Sequence, residues 1–278
     1  MNPCNLNQLN VNRDTAWAVG HFNIHNQEFI RAVVRAAEEE RSPAILAVGM
    51  MSVKYMGLEP LITSCQNISR ETDVPVAIHL DHARDLEIVR QALDLGINSV
   101  MFDGSALGYE ENLEQTAKVV EMAHACGATA EGEIGIVPHG TAQVSAEDMT
   151  DPAKAVEFAR STGVDFLAVS LGSVHGMKTA GAALNQELLK QLHEQIQVPL
   201  VLHGASGVVD EHIKAAVANG IRKINVNTNL KVVLKEFLAK RLVESPDSDL
   251  LEDYNLGMDA VSDGVRKFMR LFGSSGKA

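Results

Sequence analysis

Residues 76–82 read VAIHLDH, a short apolar run that closes on an aspartate and two histidines. Apolar runs of this length with β-branched residues are typical of strands buried on both faces. A buried face accepts a charged side chain when that side chain is paired or bound to a metal. The stretch therefore predicts a buried strand whose final polar residues, His79, Asp81 and His82, need a partner or an ion.

Seven further apolar runs flank this stretch, and each precedes an amphipathic segment of helical periodicity. The runs are AWAVGHFNI at 16–24, AILAVG at 44–49, SVMFDGS at 99–105, ATAEGEI at 128–134, FLAVSLG at 166–172, PLVLHGAS at 199–206 and RKINVNT at 222–228. The eight helices are predicted at 26–40, 58–70, 85–95, 110–126, 152–162, 185–195, 210–219 and 229–243.

Strict alternation of strands and helices predicts parallel strands. Eight such units without a linker-like shift in composition favour an α/β fold, a closed (β/α)8 TIM barrel, as a single domain over residues 1–278. Beyond the eighth unit, residues 257–278 predict an extra C-terminal amphipathic helix followed by a flexible tail.

The composition excludes several classes of partner. The 278 residues contain 24 Lys and Arg against 36 Asp and Glu, a formal net charge of -12, so we expect no nucleic acid and no membrane as partner. Cys4, Cys65 and Cys126 lack CxxC spacing, which favours a reducing compartment. With a polar N-terminus and no apolar stretch long enough to span a bilayer, a cytoplasmic location is expected.

TIM barrels build their active sites at the carboxyl ends of the strands. Polar residues follow six predicted strands there: Asp81 and His82, Asp103, Glu131 and Glu133, His175, His203, and Asn225 with Asn227. Three neutral imidazoles with one open position form a catalytic zinc site, and His82, His175 and His203 are the candidates. The other strand and helix histidines are interpreted as structural, with His79 on the strand face opposite Asp81.

Three loops after the last strands are rich in glycine and polar residues: GSVHG at 172–176, HGASG at 203–207 and NVNTN at 225–229. Backbone amides at these barrel positions bind phosphate groups. Ordinary tight turns between strand and helix are the alternative. Lys178 either adds positive charge to a phosphate site or is a solvated loop lysine.

Taken together, these segments resemble the class II, zinc-dependent ketose-bisphosphate aldolases, which include fructose- and tagatose-bisphosphate aldolases. The resemblance spans nearly the whole chain. Its markers are GHFNIHN at 20–26, HLDHA at 79–83, MFDGS at 101–105, EGEIG at 131–135, the GSVHG loop, LHGASG at 202–207, INVNTNL at 224–230 and FGSSGKA at 272–278.

The resemblance implies an aldolase that reversibly cleaves a phosphorylated ketose, of the fructose- or tagatose-bisphosphate type, into dihydroxyacetone phosphate and an aldehyde. It implies zinc at His82, His175 and His203, with Asp103 and Glu133 near an alternative metal position, and Asp81 as the catalytic acid-base group. The phosphate would be held by Gly176, Gly204, Ala205, Ser206, Asn225, Val226, Asn227 and Thr228, with Lys178 as a further candidate. A monovalent cation is a second candidate cofactor, and a homodimer or homotetramer is expected.

The residue types agree with this chemistry. Breaking a ketose C3–C4 bond leaves an enediolate, and a zinc ion stabilises the developing charge without a Schiff-base lysine. Asp81, adjacent to His82, is placed to take the hydroxyl proton from the breaking carbinol. The alternative role for Asp81 is to orient a zinc-bound histidine.

The chain also departs from the family pattern. Its loop at 134–148 reads IGIVPHGTAQVSAED, without the usual Gly-Gly and Glu-Asp pairs, whose glutamate moves the enediolate proton. Glu147, slightly preferred, and His139 are the replacement candidates, while Asp148 is assigned to a helix cap. His25, Gly49 and Asn227 differ as well, so substrate identity is less secure than reaction class.

Two other functions stay open because of these departures. One is isomerisation or proton exchange on a phosphosugar by the same metal site, and the other is a non-catalytic aldolase subunit. Asp81 and the three histidines argue against a mere binding subunit. Arg266 and Arg270 on the last helix are interpreted as surface charges, or else as contacts to the second phosphate in a neighbouring subunit.

Overall fold

A computed structural model describes residues 3–140, 144–177 and 181–278. Within these ranges eight parallel strands close into a barrel in sequence order, and the last strand pairs with the first. The strands are β1 Val19–Asn23, β2 Ala44–Gly49, β3 Val76–Ala83, β4 Ser99–Phe102, β5 Thr129–Ile134, β6 Phe166–Val169, β7 Leu200–Leu202 and β8 Ile221–Val226. The prediction of a (β/α)8 TIM barrel is confirmed.

Helices follow the strands and cover the outside of the barrel. They are α1 Gln27–Glu40, α2 Met50–Met56, α3 Leu58–Ser69, α4 Leu86–Asp94, α5 Tyr109–Ala125, α6 Pro152–Thr162, α7 Gln186–Gln195, α8 Asp210–Ala218, α9 Thr228–Glu244 and α10 Leu250–Phe272. Asp85 and Asp151 begin α4 and α6, because their carboxylates accept backbone N–H groups that have no partner inside the helix. Of the helices in the described ranges, none combines the length and apolarity that crossing a membrane requires.

Two helices differ from the prediction. The short helix α2 directly follows β2 and was not predicted; its first residues, Met50, Met51 and Ser52, line the open end of the barrel. The last helix, α10, begins at Leu250 instead of Gly257, with the side chain of Asp249 as its N-cap. It packs along α1 and α9, so the predicted extra C-terminal helix is longer than its amphipathic pattern indicated.

The predicted flexible tail was wrong. The backbone N–H groups of Gly276 and Ala278 donate to the carbonyls of Glu40 and Arg41 at 2.8 and 2.9 Å, and the hydroxyl of Ser275 donates to the Glu40 carboxylate at 2.7 Å. These carbonyls lie at the end of α1, where they have no partner inside the helix. The C-terminal residues therefore complete that helix end.

The core has two parts, separated by the sheet. One fills the space between the barrel and the helices and includes Phe22 and Phe158. The other fills the lower barrel, around Phe166, where Leu6 and Leu9 enter from a short 3-10 turn, Leu6–Leu9. This turn closes the end of the barrel at which the strands begin.

Above the apolar layer, the barrel interior becomes polar. Side chains two residues apart on a strand share a face, and β3 runs from Ala77 to His79 to Asp81, all facing inwards. The other strands contribute similarly to one buried polar layer, which contains His21, Asn23, His79, Asp81, Glu131, Glu133, His203, Lys223 and Asn225. The open end of the barrel therefore rests on a floor of buried ionisable groups.

Candidate active site

Three histidines meet at the carboxyl ends of β3, β6 and β7. His82 occupies an irregularity of β3, where the register with β4 shifts between Leu80 and Ala83, and its φ of 54° is left-handed. This conformation costs a non-glycine residue about 1–2 kcal/mol, and it accompanies the placement of the adjacent Asp81 and His82 on the same cavity. His203 directly follows β7, and His175 lies in the loop after β6.

The ring nitrogens of these histidines are close enough to share an ion. His82 Nε2 lies 3.0 Å from His203 Nδ1, and His82, His175 and His203 each offer a nitrogen within 4.8 Å of the other two. Two nitrogens bound to one tetrahedral zinc ion stand roughly 3.3 Å apart, because each Zn–N bond is about 2.0–2.1 Å. The donor set therefore fits an ion held by three imidazoles.

Carboxylates on the far side orient two of these rings. Asp103 Oδ2 lies 3.2 Å from His82 Nδ1, and Glu131 Oε1 lies 3.0 Å from His203 Nε2. A carboxylate only accepts hydrogen bonds, so both of these nitrogens carry their protons and the opposite nitrogens face each other. This arrangement of carboxylate and histidine is the usual support of a metal ligand.

Two of the three histidines are neutral. Burial lowers the pKa of His203 well below its usual value, and the neighbouring His82 and Lys223 lower it further. Burial also lowers the pKa of His175 to about 2, with added repulsion from His203 and His82. Neutral imidazole is the form that binds a metal, so neither ring must lose a proton first.

His82 differs from its two neighbours. Burial alone would lower its pKa, but the carboxylates of Asp81, Asp103 and Glu133 outweigh burial and raise the pKa to about 9. Without an ion, His82 therefore carries protons on both nitrogens at neutral pH. The second proton lies on Nε2, where His203 Nδ1 accepts it at 3.0 Å.

A second group of possible ligands shares His82. Its Nδ1 is 3.2 Å from Asp103 Oδ2 and 3.8 Å from Glu133 Oε2. Burial raises the pKa of Glu133 to about 8, although His82 opposes the shift. Burial would also raise the pKa of Asp103, but hydrogen bonds from His82, Ser105 and Arg84 hold it far below its usual range. An ion here must displace protons from both His82 and Glu133.

Asp81 is buried at the floor of the cavity, with 5 % of its surface exposed. Its Oδ2 accepts a hydrogen bond from Asn23 Nδ2 at 2.8 Å. Its Oδ1 lies 3.4 Å from Asn225 Nδ2 and 3.5 Å from His21 Nε2. Because Asp103 and Glu131 already occupy the orienting positions behind two of the histidines, the geometry does not favour that role for Asp81.

The assignment of His79 to the strand face opposite Asp81 was wrong. Residues two apart on a strand point to the same side, and His79 is fully buried below the cavity with Asp81. Its Nδ1 lies 2.7 Å from Ser99 Oγ, and its ring meets His21 edge-on with 5.2 Å between centroids. His79 is therefore a buried member of the polar layer beneath the cavity.

An open cavity of about 810 Å³ lies above these groups. Of the predicted phosphate-binding residues, Gly176, Gly204, Ser206, Asn225, Asn227 and Thr228 line it. Gly204 has a left-handed φ of 68°, and a Cβ there would stand 3.0 Å from the backbone of Val174. Only glycine therefore allows this loop to approach its neighbour so closely.

The remaining phosphate candidates are placed differently. Ala205 lies inside the short turn Ala205–Gly207, 4 % exposed. The side chain of Val226 is packed in the outer core, so this residue can offer its backbone alone. Lys178 lies outside the described residues.

Four further residues of the cavity lining were not predicted as site residues from the sequence. They are His25, Ser52, Arg84 and Lys231. His25 Nδ1 lies 2.9 Å from Ser52 Oγ, and burial, with the charge of Lys231, lowers the pKa of His25 to about 4. In the sequence, only the departure from the family pattern at His25 pointed to these four residues.

The loop after β5 brings His139 to the cavity. Its ring stacks on His175 with 4.8 Å between centroids and 25° between planes. Two backbone hydrogen bonds hold the loops together: His175 N donates to Pro138 O, and Gly140 N donates to His175 O, both at 2.8 Å. Residues 141–143 of this loop lie outside the described ranges.

The two acidic residues of the loop are less well placed. Glu147 is exposed and is not among the residues that line the cavity. Asp148 accepts hydrogen bonds from Ser145 N at 2.7 Å and Ser145 Oγ at 2.8 Å. Asp148 thus stabilises a turn, and the preference for Glu147 over His139 is not supported by the geometry.

Arg266 and Arg270 form ion pairs within the chain. Arg266 contacts Glu39 and Asp263, and Arg270 contacts Glu40. The pairs with Glu39 and Glu40 join α10 to the end of α1, on the outside of the barrel, and the pair with Asp263 lies within α10. A contact to a neighbouring subunit's substrate stays a prediction.

A parallel (β/α)8 barrel with convergent histidines and a buried aspartate at its open end is the framework of a barrel enzyme. The chain belongs to the class II fructose-bisphosphate aldolase family, whose model matches residues 6–277. Members of this family are metal-dependent enzymes that act on phosphorylated sugars.

Several relatives match over nearly their whole length. The chain is 40 % identical to the fructose-bisphosphate aldolase of Geobacillus stearothermophilus over 268 residues, covering 94 % of this chain and 93 % of the relative. It is 38 % identical to the sulfofructosephosphate aldolase of Alkalicoccus urumqiensis over 267 residues, with the same coverage. The crystal structure of the YdjI aldolase of Escherichia coli K12 matches with a TM-score of 0.84 at 36 % identity, covering 96 % and 95 % of the two chains.

Proposed function

We propose that this protein is a zinc-dependent aldolase that reversibly cleaves a phosphorylated ketose into dihydroxyacetone phosphate and an aldehyde. The observation that carries the proposal is the meeting of His82, His175 and His203 close to the buried carboxylate of Asp81. Asp81, His82 and His175 line one cavity, and His203 is buried directly against His82. Histidines with an open coordination position suit a metal that binds substrate.

The three imidazoles would hold the zinc ion. When bound there, zinc supplies a Lewis acid that stabilises the negative charge developing on the ketose as its C3–C4 bond breaks. Asp103 and Glu131 keep the His82 and His203 nitrogens aimed at that position through hydrogen bonds of 3.2 and 3.0 Å.

Asp81 would take the proton of the C4 hydroxyl during cleavage and return it during condensation. It lines the cavity, and its Oδ1 lies 4.0 Å from His82 Nε2, so its carboxylate stands beside the metal position. Asn23 holds Oδ2 at 2.8 Å, which fixes the plane of the carboxylate. A general base needs this fixed geometry within hydrogen-bond reach of the proton it removes.

The loops after β6, β7 and β8 would bind the phosphate of dihydroxyacetone phosphate. Gly176, Gly204 and Ser206, from the loops after β6 and β7, line the cavity together with Asn227 and Thr228, which follow the neighbouring strand β8. Thr228 begins α9, so the positive end of a helix dipole faces the same space. Lys178 and a monovalent cation remain candidates for further phosphate or metal contacts.

His139 is the best-placed group for moving the proton at the enediolate carbon. It lines the cavity and stacks on the ring of His175, whereas Glu147 is exposed on an outer turn. A neutral imidazole carries one nitrogen that donates and one that accepts, so it is suited to both directions of proton transfer. Solvent deuterium exchange into dihydroxyacetone phosphate measures this half-reaction alone, and His139→Ala should slow it while Glu147→Gln leaves it unchanged.

A fructose- or tagatose-bisphosphate type of substrate is part of this proposal, and it is supported by the family and by relatives named as fructose-bisphosphate and sulfofructosephosphate aldolases. Lys231, one turn along α9 from Thr228, adds a positive charge to the cavity lining, whereas the Arg84 guanidinium is paired with Asp103 at 2.8 Å. A homo-oligomer and a cytoplasmic location stay predictions, the latter in agreement with three free cysteines.

The deciding test is a coupled assay for dihydroxyacetone phosphate released from fructose bisphosphate, tagatose bisphosphate and their monophosphates. Metal content is measured by mass spectrometry on the same preparation. We expect one zinc per chain, release from at least one ketose, and loss of release after chelation with recovery on adding zinc. A zinc-loaded protein that releases no dihydroxyacetone phosphate from any of these ketoses contradicts the proposal.

A further inference from the structure

Lys223 is a lysine with no exposed surface, in the middle of β8 and inside the barrel. Isolating an ammonium group from water carries a large penalty unless charges and hydrogen bonds compensate it. The residue two positions further on, Asn225, points to the same side and lines the cavity. The buried positive charge of Lys223, two residues before the cavity-lining Asn225, therefore requires an explanation.

One contact of Lys223 leads to the metal position. Its Nζ lies 2.9 Å from Glu131 Oε2, and the other oxygen of Glu131 lies 3.0 Å from His203 Nε2. Lysine, glutamate and histidine are all fully buried here. The Glu131 carboxylate therefore lies between the Lys223 ammonium group and the His203 ring, and it sets the orientation of that ring. It also keeps the proton of His203 on Nε2, so Nδ1 is free to bind an ion.

The other contact leads to the proposed acid-base group. Lys223 Nζ donates to Asn225 Oδ1 at 2.8 Å, and this contact decides which way the amide points. The Asn225 Nδ2 group is then turned towards Asp81 Oδ1, 3.4 Å away. One ammonium group therefore touches the partners of both His203 and Asp81.

We infer that Lys223 is a positioning residue that aligns the metal-ligating His203, through Glu131, with the carboxylate of Asp81, through Asn225. The inference rests on the proposed aldolase function. Lys223 reaches neither the substrate cavity nor the metal position itself, so it is not a catalytic residue.

A neighbouring cluster of possible ligands in the same layer does not suit a second metal ion. His21, His79 and Asp81 offer ligand atoms within 4.8 Å of one another. Burial and the charge of Lys223 both lower the pKa of His21 and of His79, so these rings already feel a positive charge beside them. A metal ion would meet the same repulsion, and the fixed cation of this layer is Lys223.

Two variants test the inference, because removing Lys223 alone leaves Glu131 buried without its cation. Lys223→Met keeps the aliphatic stem and removes the charge. Lys223→Met combined with Glu131→Gln removes both buried charges while retaining an oxygen that accepts from His203 Nε2. Lys118→Met, on the exposed face of α5, is the matched control.

The first readout is zinc affinity by competition with a chelator, and the second is the absorption spectrum of the cobalt-substituted protein, which reports ligand geometry without any turnover. We expect the double variant to unfold like the parent but to bind zinc about 10–100-fold more weakly, the usual cost of losing a partner behind a metal ligand. Its cobalt spectrum should shift, and kcat should fall at least about tenfold with a smaller change in KM.

The inference is overturned if the double variant matches the parent in zinc affinity, cobalt spectrum and kcat, because Lys223 then only balances the charge of Glu131. Lys118→Met should match the parent in every readout. Zinc binding and ketose cleavage by the parent protein test the proposed function separately, so a failure of that proposal is recognised before any variant is compared.

Discussion

The two ends of the barrel fill the same cylinder in opposite ways. At the lower end, Val19, Ile45 and Ala77 pack against Leu6 and Leu9 of the N-terminal turn, and every one of these side chains is apolar. Two residues further along β1 and β3 stand His21 and His79, and neighbouring strands add carboxylates and one lysine to this layer. The lower end is therefore built for stability and the upper end for chemistry.

The contrast is sharpest in hydrogen bonding. Among the described residues, both nitrogens of His21 and the Nε2 of His79 are buried without a hydrogen-bond partner. Each such group costs about 1–3 kcal/mol. At the lower end, the buried hydroxyl of Thr129 is hydrogen-bonded, because it accepts from Leu6 N at 3.3 Å. Proteins accept such losses where a function requires them.

Removing a histidine from the upper end should have the largest effect. We expect His203→Ala to lose stoichiometric zinc on dialysis and ketose cleavage with it, because two fixed imidazoles hold an ion poorly against water. The loss of affinity should exceed roughly 100-fold, the most expected for a group that only orients a ligand. Mass spectrometry of the dialysed protein measures it.

The matched control is His124→Ala, a histidine on the outside of the barrel that contacts Asp165 at 2.9 Å. It should retain zinc and activity. If His203→Ala still binds one equivalent of zinc, the metal is held elsewhere and the assignment of the three histidines is wrong.

Asp81→Asn should distinguish the contribution of the acid-base group from that of the metal at the same end of the barrel. The amide keeps the size of the carboxylate but takes no proton, so cleavage should slow roughly 10²–10⁴-fold, the usual worth of a positioned acid-base group. Zinc content and binding of dihydroxyacetone phosphate should be unchanged. Steady-state kinetics and titration of the product measure both. Near-parental cleavage would assign Asp81 a structural role.

At the lower end, Leu9→Ala should cost stability and leave catalysis intact. The side chain is fully buried in the plug of the barrel, and truncating a buried leucine costs about 2–5 kcal/mol. Urea unfolding measures the free energy, with Leu242→Ala, 55 % exposed, as a control expected within about 0.5 kcal/mol of the parent. A fall in kcat larger than the loss of folded protein would show that the two ends are coupled.

Much of the upper end was predictable because parallel strands in a barrel bring their carboxyl ends together whatever the packing details. Asp81, His82, His175 and His203 followed from that rule and from their chemical types, and the structure places all four around one cavity or its floor. The periodic apolar runs likewise specified the strands, since a strand buried on both faces leaves a continuous hydrophobic signature.

Other features depend on contacts that no local pattern encodes. The left-handed φ of His82 arises from a register shift with β4. In the sequence, Lys223 looks like an ordinary charged residue. Only the closed barrel shows that its Nζ lies 2.9 Å from Glu131 Oε2. The C-terminal tail has the composition of a flexible segment, and its contacts with the carbonyls of Glu40 and Arg41 and with the Glu40 carboxylate explain why it is fixed.

The smallest expected effect is a gradual dependence of zinc affinity on pH. It distinguishes between the two possible sets of metal ligands at the upper end of the barrel. The three carboxylates around His82 raise its pKa to about 9, while the pKa values of His175 and His203 are lowered. A proton on His82 Nε2 competes with the ion, so zinc affinity should rise with pH below about 9 and level off above it. The slope should be about tenfold per pH unit between roughly pH 5 and pH 7, with one proton released per ion bound. Isothermal titration in buffers of different ionisation enthalpy counts these protons.

The alternative ligand set predicts a different number of protons. Because the pKa of Glu133 is raised to about 8, an ion held by His82, Asp103 and Glu133 would release two protons and double the slope. That result would assign the zinc to the carboxylate position instead of the three histidines.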